Sequence, residues 1–299
     1  MDKIIRCITS DGSLMASAID SSDLVFTAQS LHGLTKTTGA ALGRLLTGAS
    51  IMGAMLKGVD SRITLIVQGD GPTGALVARS DAKGNTRGYV EHPKVDLPLR
   101  PDKKINVGEA VGGEGRLTVI RDPGQGEPYV AHVPLVSGEI AEDLTAYYAH
   151  SEQIPTVFAL GVLTDPHDGK VLLAGGMLIQ VLPGADDEII TKLEENVAVL
   201  PPVTTMLAQG MTALEMCRKA LDGFQVEVLD SFPVNYVCDC SKERFGEMLK
   251  TMPPEEIRTL PLDEKGNAEL VCHYCSRKYY YNQEELDQIA LQVEEGRKS

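Results

Sequence analysis

ITLIVQGDGPTGALVARSD, residues 63–81, is two apolar runs separated by a glycine-rich loop. Gly69-Asp70-Gly71-Pro72-Thr73-Gly74 satisfies the literal G-x-G-x-x-G pattern of a dinucleotide-binding turn. Such a turn must open a helix, so that N-terminal N–H groups meet the pyrophosphate. Here Pro72 interrupts the loop and ALVARSD (75–81) continues as another strand, which predicts a β-hairpin. Strands are also predicted at 3–9, 13–19, 86–91, 116–121, 128–134, 156–163 and 170–182, with helices at 21–32, 36–57 and near 139–150. Strands in runs, not alternating one for one with helices, predict an α+β fold: an N-terminal mixed sheet packed with helices.

The 299 residues suit two domains, and 43% apolar residues supply a substantial core. A net charge of −14 argues against binding duplex DNA or an anionic membrane, because phosphate recognition runs on positive charge. Aromatic residues are 5% and tryptophan is missing, which disfavours a stacking platform for single strands. Residues 37–56 are apolar but contain Arg44 and four glycines, Gly39, Gly43, Gly48 and Gly53, so they predict a buried helix of a soluble protein and not a membrane span. The N-terminus, with Lys3, Arg6 and Asp11, lacks the apolar run of a secretion signal; a cytoplasmic location, where thiols stay reduced, is expected. Asp165-Pro-His167-Asp168-Gly reads as turn chemistry, and His32, His92, His132 and His150 are scattered, so no catalytic constellation and no enzyme is expected.

After Pro183-Gly184 short helices are predicted at 186–196, 202–209 and 211–222. The expected division is an N-terminal core domain at 1–183, a helical linker at 184–231 and a small zinc-binding domain at 232–299. Met206, Leu207, Met211, Leu214 and Met216 give the linker a pliable apolar character. They fit either core filling or a surface for irregular partners.

Four of the six cysteines form two close pairs, Cys238-Asp-Cys240 and Cys272-His-Tyr-Cys275. Paired cysteines in a small segment of a reducing compartment predict one tetrahedral Zn²⁺ held by four thiolates. His273, inside the second pair, competes with Cys272 for geometry and is not expected to be a ligand. Lys242, Arg244, Arg277 and Lys278 flank the pairs and are expected to offset the charge of a four-thiolate centre. A segment of this length buries a marginal core, so the metal should be what keeps it folded. Residues 238–299 carry nine Lys/Arg and thirteen Asp/Glu, a poor footprint for nucleic acid. On these residues alone, an interaction or nucleic-acid-binding module with a fixed structural zinc also fits.

The Cys-x-Cys followed after 31 residues by Cys-x-x-Cys resembles the redox-regulated 33-kDa heat-shock chaperones, the 33-kDa chaperonins. TGAALGRLLTGASIMGAMLK (38–57), GYVEHP (88–93), GEIAEDLTAYYAHSEQIPT (138–156) and AGGMLIQVLPGA (174–185) are similar to the family's N-terminal domain. The resemblance implies an ATP-independent holdase, inactive when reduced and zinc-bound at Cys238, Cys240, Cys272 and Cys275. Oxidation would form disulfides Cys238–Cys240 and Cys272–Cys275, release zinc and unfold the C-terminal domain. The activated protein would then dimerise and hold unfolded or misfolded client proteins, with client contacts expected at Met206, Leu207, Met211, Leu214 and Met216. Cys7 and Cys217 fall outside the motif and are expected to be plain buried thiols.

Overall fold

A computed structural model describes residues 2–296 as two compact units, one ending at Val237 and the other beginning at Cys238. The predicted hairpin is present: β3 (Arg62–Gln68) pairs antiparallel with β4 (Leu76–Asp81). The Gly69–Gly74 loop gives its backbone to the chain and not to a ligand. Gly71 N–H bonds to Val111 O at 2.9 Å and Thr73 N–H to Ala110 O at 3.1 Å.

In place of one mixed sheet, the first unit has two five-stranded antiparallel sheets. β1 (Lys3–Thr9), β2 (Leu14–Asp20), β8 (Thr156–Thr164), β9 (Val171–Val181) and β10 (Val226–Pro233) form one, in the order β10-β1-β2-β9-β8. β5 (Thr86–Val90), β6 (Arg116–Asp122) and β7 (Tyr129–Pro134) join the hairpin in the other, in the order β5-β4-β3-β6-β7. Between the sheets runs α2 (Lys36–Ala54), of which all but Lys36 and Arg44 are buried. Its start is fixed by Thr35 and Thr38, whose hydroxyls reciprocally accept each other's backbone N–H at 3.2 and 3.0 Å. Helix glycines give the close approach that this sandwiched position needs. A Cβ on Gly43 would lie 2.6 Å from Val25 Cγ1, and one on Gly53 would lie 2.5 Å from Asp81 O. Arg44 leaves the core sideways to an ion pair with Glu139 at 2.5 Å. α1 (Ser22–His32), the short α3 (Val107–Val111) and α4 (Ala141–Tyr147), which runs on into a π-helical turn at Tyr148–Glu152, complete the layer.

The 184–231 segment, expected as a linker, belongs to this unit. α5 (Asp187–Ala198), α6 (Val203–Ala208) and α7 (Ala213–Ala220) cover the outer face of the first sheet, and β10 returns as that sheet's edge strand beside β1. The unit boundary therefore falls at 237/238 and not at 232. Small residues in the sheet receive the helices: a Cβ on Gly175 would sit 2.7 Å from Leu207 Cδ1. Among the described residues no helix is long and apolar enough to cross a membrane.

The start of α1 carries a pH dependence. Asp2 is buried and accepts the N–H groups of Asp23 at 3.0 Å and Leu24 at 2.6 Å. Burial outweighs these bonds, and the nearby Asp23 and Asp20 add to it, so the carboxyl is pushed up to about 6. A raised carboxyl pKa favours the folded state below the unfolded value near 3.8, and that contribution is lost as pH rises through 6. Asp2→Asn removes the charge but turns an amide NH2 toward one of the two donors, so the variant's stability relative to the parent should rise between pH 4 and 7, by about 1 kcal/mol after solvent screening. Urea unfolding of the first unit at pH 4.5 and 7 checks this: a pH-independent difference contradicts it.

Candidate metal centre

The second unit is small. α8 (Lys242–Leu249), α9 (Pro254–Arg258), the hairpin of β11 (Asn267–Val271) and β12 (Lys278–Asn282), and α10 (Gln283–Gly296) bury a core of Leu249, Ile257, Ala268, Tyr281, Leu286, Ala290 and Val293. Seven buried apolar side chains, two of them alanine, with six half-buried ones packed against them, are little to hold about sixty residues against chain entropy.

Two knuckles bring the cysteines together. Cys272 and Cys275 occupy the turn between β11 and β12, closed by Cys272 N–H to Arg277 O at 2.9 Å and Ser276 N–H to Cys272 O at 2.8 Å. Ser276 takes a left-handed φ of 58° to complete it. Cys238 and Cys240 immediately precede α8, whose N-cap Ser241 accepts Arg244 N–H at 3.3 Å. In each knuckle a backbone N–H points at a sulfur: Cys240 N–H at Cys238 and Arg277 N–H at Cys275. The Cys-x-Cys half thus makes the same kind of N–H···S contact as the longer one.

All four Sγ atoms lie within 4.8 Å of one another, with Cys238–Cys272 at 3.7 Å and Cys240–Cys275 at 3.3 Å. Four thiolates about 2.3 Å from a tetrahedral zinc have sulfur–sulfur edges of about 3.8 Å. The donor set fits that ion in number, softness and spacing. Cys272 is buried and the other three are half-buried, and the six cysteines are all free thiols. His273 is exposed and lies outside this cluster of four sulfurs.

Electrostatics distinguish the four sulfurs. Burial pushes the Cys238 and Cys275 thiols up. Burial also opposes ionisation of Cys240, but the Tyr279 hydroxyl and the neighbouring thiols outweigh it and bring Cys240 down to about 7. The Tyr279 hydroxyl lies 2.9 Å from Cys240 O and 3.1 Å from Cys240 Sγ, with its ring packed on Phe245 at 5.0 Å. Sequence reading missed Tyr279; its one signal is a position four residues past Cys275 on a strand leaving the knuckle.

The flanking cations divide differently from expectation. Lys242 pairs with Glu285 at 2.6 Å, Lys278 pairs with Glu269 at 2.9 Å, and Arg244 turns to Asp239, also bonding its carbonyl at 2.8 Å. Arg277 is the one whose charge is favoured by Tyr279, Cys240 and Cys275. Carboxylates had taken up the other three.

The remaining sites stand apart. Cys7 and Cys217 are buried in the first unit, on β1 and α7. Met206 and Met216 are fully buried and Leu207 nearly so, while Met211 and Leu214 are half-buried; all pack against the first sheet.

Comparison with known proteins agrees with this architecture. The family model described as Hsp33 protein matches residues 2–282. The 33 kDa chaperonin of Clostridioides difficile is 44% identical over 292 residues, covering 98% of this chain and 99% of that protein. That of Bacillus subtilis is 41% identical over 293 residues, covering 98% and 99%. The crystal structure of the 33 kDa chaperonin from Thermotoga maritima superposes with a TM-score of 0.88 at 34% identity, covering 98% of this chain and 99% of that one. With a four-cysteine cluster in the second unit and two antiparallel sheets wrapped around one helix in the first, the chain belongs to the Hsp33 family of chaperones.

Proposed function

We propose that the protein is a redox-regulated holdase that keeps unfolding proteins from aggregating without ATP, silent when reduced and metal-bound. The observation that carries this reading is the convergence of four thiols within 4.8 Å in a unit whose core is seven side chains. Cys238, Cys240, Cys272 and Cys275 would hold Zn²⁺, and the bound ion would supply folding free energy on the order of 10–16 kcal/mol, more than that core does.

A peroxide removes the donors. Two thiols give up two protons and two electrons, one S–S bond forms, and the peroxide leaves as two waters. We assign the disulfides to Cys238–Cys240 and Cys272–Cys275, as the family resemblance implies. Sulfur approaches of 3.7 and 3.3 Å run between the two pairs, and disulfides within each pair leave nothing to hold the two knuckles together. Without its donor set the second unit loses its main support. Unfolding there loosens α5–α7, and Met206, Leu207, Met211, Leu214 and Met216 become an adaptable apolar surface for clients. Holding a client in this way needs no catalytic group. A net charge of −14 keeps loaded complexes soluble, and dimerisation of the activated form enlarges the surface. The cytoplasm, with reduced resting thiols, is the compartment in which such a switch has a resting state.

The test is to treat the reduced, zinc-loaded protein with peroxide at heat-shock temperature. Zinc should appear in solution at one equivalent per chain, and light scattering of a thermally unfolding client should fall severalfold relative to the untreated protein. Release of zinc with unchanged scattering contradicts the holdase reading.

A further inference from the structure

Between β10 and Cys238 the chain makes one more pairing, outside both sheets' ladders. Residues 234–237 lie along the outer edge of β5 in a single parallel bridge, Thr86 with Tyr236. Thr86 N–H bonds to Asn235 O at 3.0 Å, and Val237 N–H bonds to Thr86 O at 2.9 Å. Two residues along, the outward groups of Gly88 are met by a side chain. The Tyr236 hydroxyl donates to Gly88 O at 2.9 Å and accepts Gly88 N–H at 3.2 Å, with His32 Nε2 3.2 Å away. Val234 is 1% exposed and rests on the β4–β5 turn, where a Cβ on Gly84 (φ +78°) would lie 3.1 Å from Val234 Cγ1. Asn235 N–H bonds to Asn85 Oδ1 at 3.1 Å.

Three features mark this as a seat with a removable occupant. Two of the bonds, both at Thr86, are main-chain pairings that any extended chain can satisfy; the pair at Gly88 needs a phenol, and Val234 adds an aliphatic contact to the core. The strap pairs through one bridge only, which is short for a sheet edge that must otherwise be protected from other chains. It also ends at Cys238, so the residue after it in the chain is a thiol of the metal centre.

We propose that the outer edge of β5 is a binding seat for an extended peptide, closed in this state by the chain's own residues 234–237. Its partner is an unfolded client segment carrying an aliphatic residue two positions before an aromatic one, as Val234 and Tyr236 do. This deepens the chaperone reading and rests on it. While the strap is tethered at both ends its effective concentration at the seat is on the order of millimolar, which excludes a dilute client. Release of the chain beyond Val237 frees one end, the strap peels, and a client strand adds to β5 by main-chain pairing.

The probe is a fluorescein-labelled peptide, Ser-Phe-Pro-Val-Asn-Tyr-Val, copied from residues 231–237. It is titrated by anisotropy into the reduced, zinc-loaded full chain, the Val234→Ala/Tyr236→Ala variant and the milder Tyr236→Phe. Loosening the strap should tighten peptide binding by at least about tenfold in the double variant and by less in Tyr236→Phe, because more of the protein has its seat open. Bound peptide should slow amide exchange at Thr86 and Gly88, and a peptide with Asp in place of its Tyr should not bind. Equal affinity for parent and both variants, or protection away from β5, overturns the seat. Client scattering with the oxidised parent is measured in parallel. If it is suppressed while the peptide finds no seat, only this inference fails; if it is not suppressed, the chaperone reading fails and any peptide bound at β5 is not a client mimic.

Discussion

Cys240→Ser should strip the protein of tightly bound zinc and leave residues 238–296 largely unfolded while α2 and the two sheets of the first unit stay intact. Three thiolates and a hydroxyl are a poor set for this ion, and the variant also removes the sulfur that the Tyr279 hydroxyl approaches at 3.1 Å. With most of about 10–16 kcal/mol of binding free energy gone, seven buried apolar side chains must hold the unit alone. Metal content after dialysis and limited proteolysis read the two effects together. Cys217→Ser, in the first unit, should keep one zinc and full protease resistance beyond Val237. Stoichiometric zinc and an intact second unit in Cys240→Ser contradict the assignment of this cluster.

Met206→Asp should make the reduced, zinc-loaded protein hold clients without oxidant. Met206 is fully buried where α6 meets the first sheet, among Ile5, Leu14, Met177 and Met216. A carboxylate placed there has no partner, and an uncompensated buried charge costs about 3–5 kcal/mol. The helix layer can relieve that cost by lifting from the sheet, which exposes the methionines and the sheet face beneath. Gln209→Asp, at an exposed position just past α6, adds the same charge and should leave the protein silent. The readout pairs amide exchange over 203–220 with client scattering. Fast exchange in Met206→Asp with no suppression of scattering would remove this layer from the client surface.

What sequence discloses here follows how local each feature is. The hairpin at 63–81 was readable because Pro72 and the strand alternation after it act within a few residues. That four cysteines would gather was readable because two short spacings place them in close pairs. α2 was readable as buried, and its single charged interior residue, Arg44, finds Glu139, 95 positions away. Less visible were features that depend on what folds back. Val226–Pro233 has the mostly exposed pattern of an edge strand, so nothing in its composition announces that it pairs with β1. For the same reason 184–231 reads as a linker although it covers a sheet. The division of ten strands between two sheets is set by α2 packing against both, a tertiary choice. At the metal centre the cations were visible, but Glu285, Glu269 and Asp239, which claim three of them, become partners only when folded.

The most direct measurement is amide hydrogen exchange across 238–296, recorded on the reduced zinc-loaded chain and again after chelation with thiol capping. Protection at β11, β12 and α10 should collapse to that of an unfolded segment while α2, sandwiched between the sheets, keeps its own. Undiminished protection in the second unit after the metal has gone would show that its apolar core suffices, and that the thiol cluster does not govern its fold.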